Sequence, residues 1–376
     1  MTWRIKMDSK TLDLLENHIT LLHRNFESVF TDILSATQHG RKDEIVCVIG
    51  PAGIGKSTML NYLSGYLVKQ QAAGWKDDYF PPIIVEAPSR VKGEFPWRAF
   101  LEEILEKLGD INVDNALDLD EAENRKRQGK WSISRSRPTI AQLERKMRLR
   151  IKSFRPIAIL IDECQNMVDR ISDSEKIANL NRMKNWANTM KTKFILFGTH
   201  EAKELLNLNE QLARRVLPIY FARYSRESEN EVTAYAQFFY SLIKHLNLRI
   251  SPKAHDNFLD IYDYSLGCPG LLVSWLHRAI TVCISTNLST ITPAILKKTR
   301  HTKSALQTAE KAIKNFETYY QQSLEDFNPS EVLSDADALY QPDLLQKSSM
   351  SKTLKRNLKP GQQHPRYHKV HENRFE

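Results

Sequence analysis

Apolar residues recur at helical spacing over residues 10–35, at Leu14, Leu15, Leu21, Leu22, Phe26, Val29, Phe30, Ile33 and Leu34, which predicts one or two amphipathic helices. The pattern then changes. Residues 44–49 form a short aliphatic, β-branched run that ends at a glycine, as expected of a strand buried on both faces. Similar runs follow at 83–86, 157–161, 194–197 and 216–220, and helical periodicity fills the intervals at 60–68, 100–108, 140–152 and 177–190. Strands that alternate with helices predict an α/β domain with a parallel five-stranded sheet flanked by helices.

After residue 228 no strand pattern recurs, and helices are expected at 229–246, 252–264, 269–284 and 293–316. The expected organisation is an N-terminal helical arm (1–40), an α/β domain (41–227) with a basic insertion at about 110–138, and a C-terminal all-helical lid (228–316). A linker and mobile basic tail (317–376) follow, where Ser, Gln, Asn, Pro and charge replace the apolar period.

Charge sharpens this outline. The 376-residue chain carries a formal net charge of +9. Residues 124–155 hold twelve Lys and Arg against the single acid Glu144, and residues 346–376 hold eight against Glu372 and Glu376, so the remainder is net acidic. An acidic body with two basic segments suits a binder of polyanions. Cys47, Cys164, Cys268 and Cys283 are scattered without a Cys-x-x-Cys pair, the pattern of reduced thiols rather than of a disulfide framework or zinc knuckle. No aliphatic run approaches the roughly 20 residues of a membrane span, and the N-terminus lacks a secretory pattern, so a cytoplasmic protein without membrane contact is expected.

The strongest chemical signal is Gly50, Pro51, Ala52, Gly53, Ile54, Gly55, Lys56 and Ser57, followed by Thr58, a G-x-x-x-x-G-K-[ST] loop between a strand and a helix. Glycines let backbone N–H groups curl around phosphate oxygens. Lys56 is placed to reach the β/γ-phosphates and Ser57 to ligate Mg²⁺. Asp162 and Glu163 end the strand at 157–161, where ligands of open α/β sheets bind; Asp162 is the second candidate for holding Mg²⁺, and Glu163 the candidate base for a lytic water. The chain has no Asn-Lys-x-Asp guanine-reading motif, so ATP is the expected nucleotide. The interval between the loop and the acidic pair leaves room for an intervening strand at 83–86, as in the additional-strand class of P-loop ATPases. Thr199, at the tip of the strand at 194–197, is a candidate γ-phosphate sensor. Arg214 and Arg215, just before the last strand, are candidates for an arginine finger that reaches a neighbouring subunit.

Together with Gly267, Cys268, Pro269, Gly270 and Leu271, these motifs resemble AAA+ ATPases of the TnsC/TniB transposition-regulator family over roughly residues 40–285. The resemblance implies an AAA+ P-loop fold with a helical lid, in a bacterial cytoplasmic ATPase that assembles on duplex DNA in its ATP state as a hexameric ring or helical filament. It further implies target-site marking, partnership with transposase subunits and a target-selection protein, and disassembly upon hydrolysis. Lys56 and Ser57 match the Walker A residues, Asp162 and Glu163 the Walker B pair, and Arg215, with Arg214 beside it, the finger position. Cys164, Gln165 and Asn166 stand where the family more often has Ala-Gln-His or Ala-Gln-Asn, and the lid lacks a Gly-Arg sensor, leaving Arg278 as a substitute. Arg90, Lys92, Lys130, Arg135, Arg137 and Arg145 are candidate contacts to the DNA backbone. Two other readings share the nucleotide chemistry: a STAND-type signalling or scaffold ATPase without DNA binding, and a loader or repair ATPase of another DNA machine.

Overall fold

The computed structural model describes residues 22–41, 44–75, 78–91, 93–110, 138–169, 171–207, 216–255 and 258–325. The chain forms two compact units, Met1–Thr318 and Tyr319–Glu376.

In chain order the first unit runs through α1 (Arg24–His39), β1 (Ile45–Ile49), α2 (Lys56–Ala72), β2 (Ile83–Glu86), α3 (Trp97–Lys107), α4 (Ile140–Phe154) and β3 (Ala158–Asp162). It continues through α5 (Asp173–Met190), β4 (Lys193–Gly198), the single turn α6 (Glu204–Asn207) and β5 (Val216–Tyr220). The lid follows as α7 (Glu229–His245), α8 (Pro252–His255), α9 (Phe258–Ser265), α10 (Pro269–Ser285) and α11 (Pro293–Thr299), and α12 (Lys303–Glu325) comes last. Among the described residues no single helix is long and apolar enough to cross a membrane.

The five strands are parallel, in the order β2-β3-β4-β1-β5. Their alternating side chains feed two cores, as the period of two requires. Ile45, Cys47, Ile49, Ile159, Ile161, Phe194 and Leu196 face α3, α4 and α5. Val46, Val48, Leu160, Ile195 and Phe197 face α1 and α2. The lid has its own apolar cluster around Tyr235, Phe239, Leu272, Trp275 and Leu276.

The strand expected at 83–86 forms at those residues, as β2; it lies at the sheet edge, where among the described residues it pairs with β3, and the strand placed between the phosphate-loop strand and the acidic-pair strand in the sheet is β4. Two helical elements depart from the sequence pattern. The helix expected over 293–316 breaks at Arg300, and a new one begins after Thr302, whose hydroxyl accepts from the N–H of Ala305 at 3.3 Å. That second helix runs on to Glu325, past the start of the expected linker, because Ile313 and Phe316 are buried on the α/β body. The region expected to be an arm is likewise part of the body from Arg24 onward: Phe26, Val29, Ile33 and Ala36 pack in the core. Residues 1–21, the insertion at 111–137 and the tail at 326–376 lie outside the described residues.

Candidate nucleotide site

The ends of β1, β3 and β4 converge at the carboxyl edge of the sheet. At β1 the chain leaves Ile49 into the loop 50–57, where Gly53 (φ +76°) and Gly55 (φ +109°) take the left-handed conformations that a β-carbon disfavours. The N–H of Gly50 donates to Gly198 O at 3.2 Å, tying the loop to the tip of β4. Gly55 caps α2, so the helix N-terminus, with its unpaired N–H groups and positive dipole end, opens into the loop as an anion cradle.

Lys56 is the first residue of that helix and only 8% exposed. Its ammonium donates to Gly50 O at 2.9 Å and Pro51 O at 3.0 Å, so it lies along the loop. Burial lowers its pKa, and the opposing charges of Glu163 and Asp162 partly restore it. The next residue, Ser57, donates its hydroxyl to Asp162 Oδ2 at 2.7 Å, joining the loop to β3. A hydroxyl and a carboxylate in contact beside the anion cradle are hard oxygen donors and fit Mg²⁺, which keeps most of its waters and takes few protein ligands.

Glu163 follows Asp162 in a left-handed conformation (φ +52°), with its N–H donating to Asp162 Oδ1 at 2.9 Å. A non-glycine residue held there costs about 1 kcal/mol or more, and such strain clusters at functional positions. The turn Cys164–Met167 that follows brings Gln165 back over the pair. Its side-chain amide donates to Glu163 Oε2, and its carbonyl accepts from the N–H of Thr199 at 3.1 Å. Gln165 thus fixes Glu163 relative to the tip of β4. Gly198 makes this possible: a β-carbon there would lie 2.6 Å from Cys164 Sγ and 2.9 Å from Gln165 Oε1. Thr199 directs its hydroxyl to Glu201. Asn166 anchors the same turn to the end of β2 through Ala87 O, at 2.8 Å.

The lid touches the loop directly. The N–H of Gly270, in the first turn of α10, donates to Gly53 O at 2.8 Å. A β-carbon at Gly270 would lie 2.5 Å from that oxygen, and Leu271 sits over Gly53. Arg278 turns into the lid: Nε donates to Thr299 O at 2.9 Å and Nη1 to Ser274 Oγ at 3.0 Å, while Nη2 is buried without a hydrogen-bond partner among the described residues.

The structure therefore brings together the loop from Gly50 to Thr58 with Lys56 and Ser57, the pair Asp162 and Glu163, and Thr199. Of the other candidates, Arg90 is half-buried just after β2, and Arg145 is exposed on α4. Arg214, Arg215, Lys92, Lys130, Arg135 and Arg137 lie outside the described residues. Sequence reasoning gave Gln165 and Gly270 no role. A glutamine two residues beyond the acidic pair and a glycine just inside a helix were the signals available.

A parallel sheet of this order, with a phosphate loop after β1, an acidic pair after β3 and a polar tip on the strand between them, defines the AAA+ P-loop fold. A family model described as AAA domain matches residues 38–206. The chain is 28% identical over 188 residues to the taurine import ATP-binding protein TauB of Jannaschia sp. (strain CCS1), a match that spans 46% of this chain and 65% of that relative. Among solved structures, the Aeropyrum pernix ORC1 protein in complex with DNA superposes with a TM-score of 0.52 at 12% identity, covering 77% of this chain and 68% of that one. The Aeropyrum pernix ORC2 protein, in ADPNP-ADP complexes, gives 0.49 at 14% identity over 78% and 71%.

Proposed function

We propose that the chain is an ATP-hydrolysing, DNA-binding switch that regulates transposition: it oligomerises on duplex DNA with ATP bound, marks a target and recruits transposase subunits, and hydrolysis releases it. The observation that carries the nucleotide half is the convergence of Lys56, Ser57, Asp162 and Glu163, with the Ser57–Asp162 contact at 2.7 Å. The loop N–H groups and the N-terminus of α2 would hold the phosphates, and Lys56 would turn from its own loop's carbonyls to the β/γ oxygens. Ser57 and Asp162 would hold Mg²⁺, which when bound neutralises charge on the phosphate oxygens. Glu163, aimed by Gln165, would orient an attacking water and accept its proton. The link from Gln165 to the Thr199 N–H makes the tip of β4 part of that alignment. Arg215 or Arg214 would serve a neighbouring subunit's nucleotide.

The DNA half rests on the two basic segments of an otherwise acidic chain, on the family resemblance, and on the ORC1 protein of the same fold having been solved with DNA. Glu163→Gln tests the two halves together. A positioned general base contributes about 10²- to 10⁴-fold, so turnover falls by at least about 100-fold while ATP binding persists. The ATP-bound oligomer then stays on DNA. Retained hydrolysis, or unchanged DNA residence measured by dissociation kinetics, contradicts the reading.

A further inference from the structure

On α4, Leu143, Met147 and Ile151 are buried and hold the helix on the body. The outward cations divide into two groups. Lys146 and Arg150 meet the buried Asp110, at 2.9 and 3.6 Å, and Arg182 meets Glu144 at 3.0 Å. Arg145, Arg148, Lys152 and Arg155 stand at i, i+3, i+7 and i+10, one exposed row about 15 Å long, of which Arg148 and Lys152 carry the argument. Among the described residues Arg148 and Lys152 have no acidic partner, and Arg155 meets the exposed Asp78 at 3.1 Å and lies over the ring of Tyr79.

The row runs into a groove of about 720 Å³ at the amino edge of the sheet, remote in the fold from the carboxyl edge that carries the phosphate loop. Lys191 closes its other side, as the left-handed cap of α5, and Lys193 stands in its wall. Cations in the last turn of a helix are favoured by the helix dipole, which accounts for Lys152 and Arg155. It does not account for Arg148 and Arg145, about one and two turns further in.

We propose that this face, Arg145, Arg148, Lys152, Arg155 and Lys191, binds the phosphodiester backbone of duplex DNA. The inference rests on the DNA-binding reading above and gives it a location. A straight row of cations matches a linear polyanion, since a duplex offers a charge about every 1.7 Å along its axis. Among the described residues Gln38 is the one side-chain amide in the groove lining, against three lysines and two arginines, so the contact is chiefly to backbone and largely independent of sequence.

The test is fluorescence anisotropy with a labelled duplex and an ATP analogue, from about 50 to 200 mM salt. Wild type is compared with R148A/K152A/K191A and with K253A/K297A/K298A, which removes the same charge from exposed positions on the lid. Alanine is a good helix former at the exposed helical positions 148 and 152, and R148Q/K152Q/K191Q repeats the test with a polar, uncharged side chain at each position. Removing one cation from a DNA phosphate flattens the plot of log affinity against log salt by about 0.9, so removing three flattens it by about 2.7. Over that range the salt-induced fall in affinity becomes roughly 40-fold smaller than in wild type, and the lid variant keeps the wild-type slope. A wild-type slope in the α4 variants, or equal flattening in the lid variant, overturns this location while leaving the DNA-binding reading intact. Absence of salt-dependent binding by wild type overturns both.

Discussion

His23 shows how one side chain joins two parts of the first unit. It precedes α1, is 8% exposed, and lies among the rings of Phe26, Phe221, Tyr224 and Phe238, from α1, the end of β5 and the lid helix α7. Its Nδ1 accepts from the N–H of Phe26 at 3.3 Å and lies 2.8 Å from Tyr224 Oη, so the network assigns it a neutral ring that also accepts from the phenol. Burial pushes its pKa down to about 4 from 6.5. The unfolded chain therefore binds this proton first as pH falls. The associated stability is fully present above pH 6.5 and drains away as the pH falls toward 4, by about 3 kcal/mol in all. Urea unfolding of wild type and His23→Phe at pH 7 and pH 4.5 checks this: the wild type loses more stability over the interval, whereas parallel losses contradict the assignment. Neither the burial of His23 nor the bridge made by Gln165 is legible locally. In each case the partner, Tyr224 or Thr199, lies far along the chain and is brought near only by the sheet.

At the scale of elements, β1, β3 and β4 were readable because each is a continuous apolar run buried on both faces, β2 and β5 because each is a short apolar run even though partly exposed, and α4 because Leu143, Met147 and Ile151 keep one stripe. The start of α5 was missed by a turn: its capping box, Ser172 with Glu175, precedes the apolar stripe. The order of strands was not readable, since nothing in the residues 194–197 says that they pair with both β1 and β3. The phosphate loop and acidic pair were legible because their chemistry requires fixed residue types at fixed spacing, and this is why Lys56, Ser57, Asp162 and Glu163 met as expected. The lid contact was not, because a backbone bond from Gly270 to Gly53 leaves no side-chain signal. It couples α10 to the loop that would hold phosphate. Gly270→Ala forces a β-carbon to within 2.5 Å of Gly53 O, and relieving that overlap by backbone shifts costs about 1–3 kcal/mol. Titration with a fluorescent ATP analogue then gives a Kd raised roughly 5- to 150-fold in that variant. An unchanged Kd shows that the lid contact does not support the loop.

For the whole molecule, the separation of edges organises the proposed function. Nucleotide chemistry gathers where β1, β3 and β4 end, and the exposed cations of α4 gather at the opposite ends of the strands. ATP binding at one edge governs DNA binding in this scheme through assembly, with each subunit's nucleotide completed by a neighbour and each subunit adding its cations to a common track. Lys56 is the residue through which the two are separable, because it belongs to the phosphate loop and is distant in the fold from the basic row. The most direct measurement is therefore duplex binding by wild type and Lys56→Ala with an ATP analogue, with ADP and without nucleotide, followed by fluorescence anisotropy at low and moderate salt. An ATP-gated switch predicts tight, salt-sensitive binding by wild type with the analogue alone and its loss in Lys56→Ala. Binding that is indifferent to nucleotide, or that survives in Lys56→Ala, contradicts it.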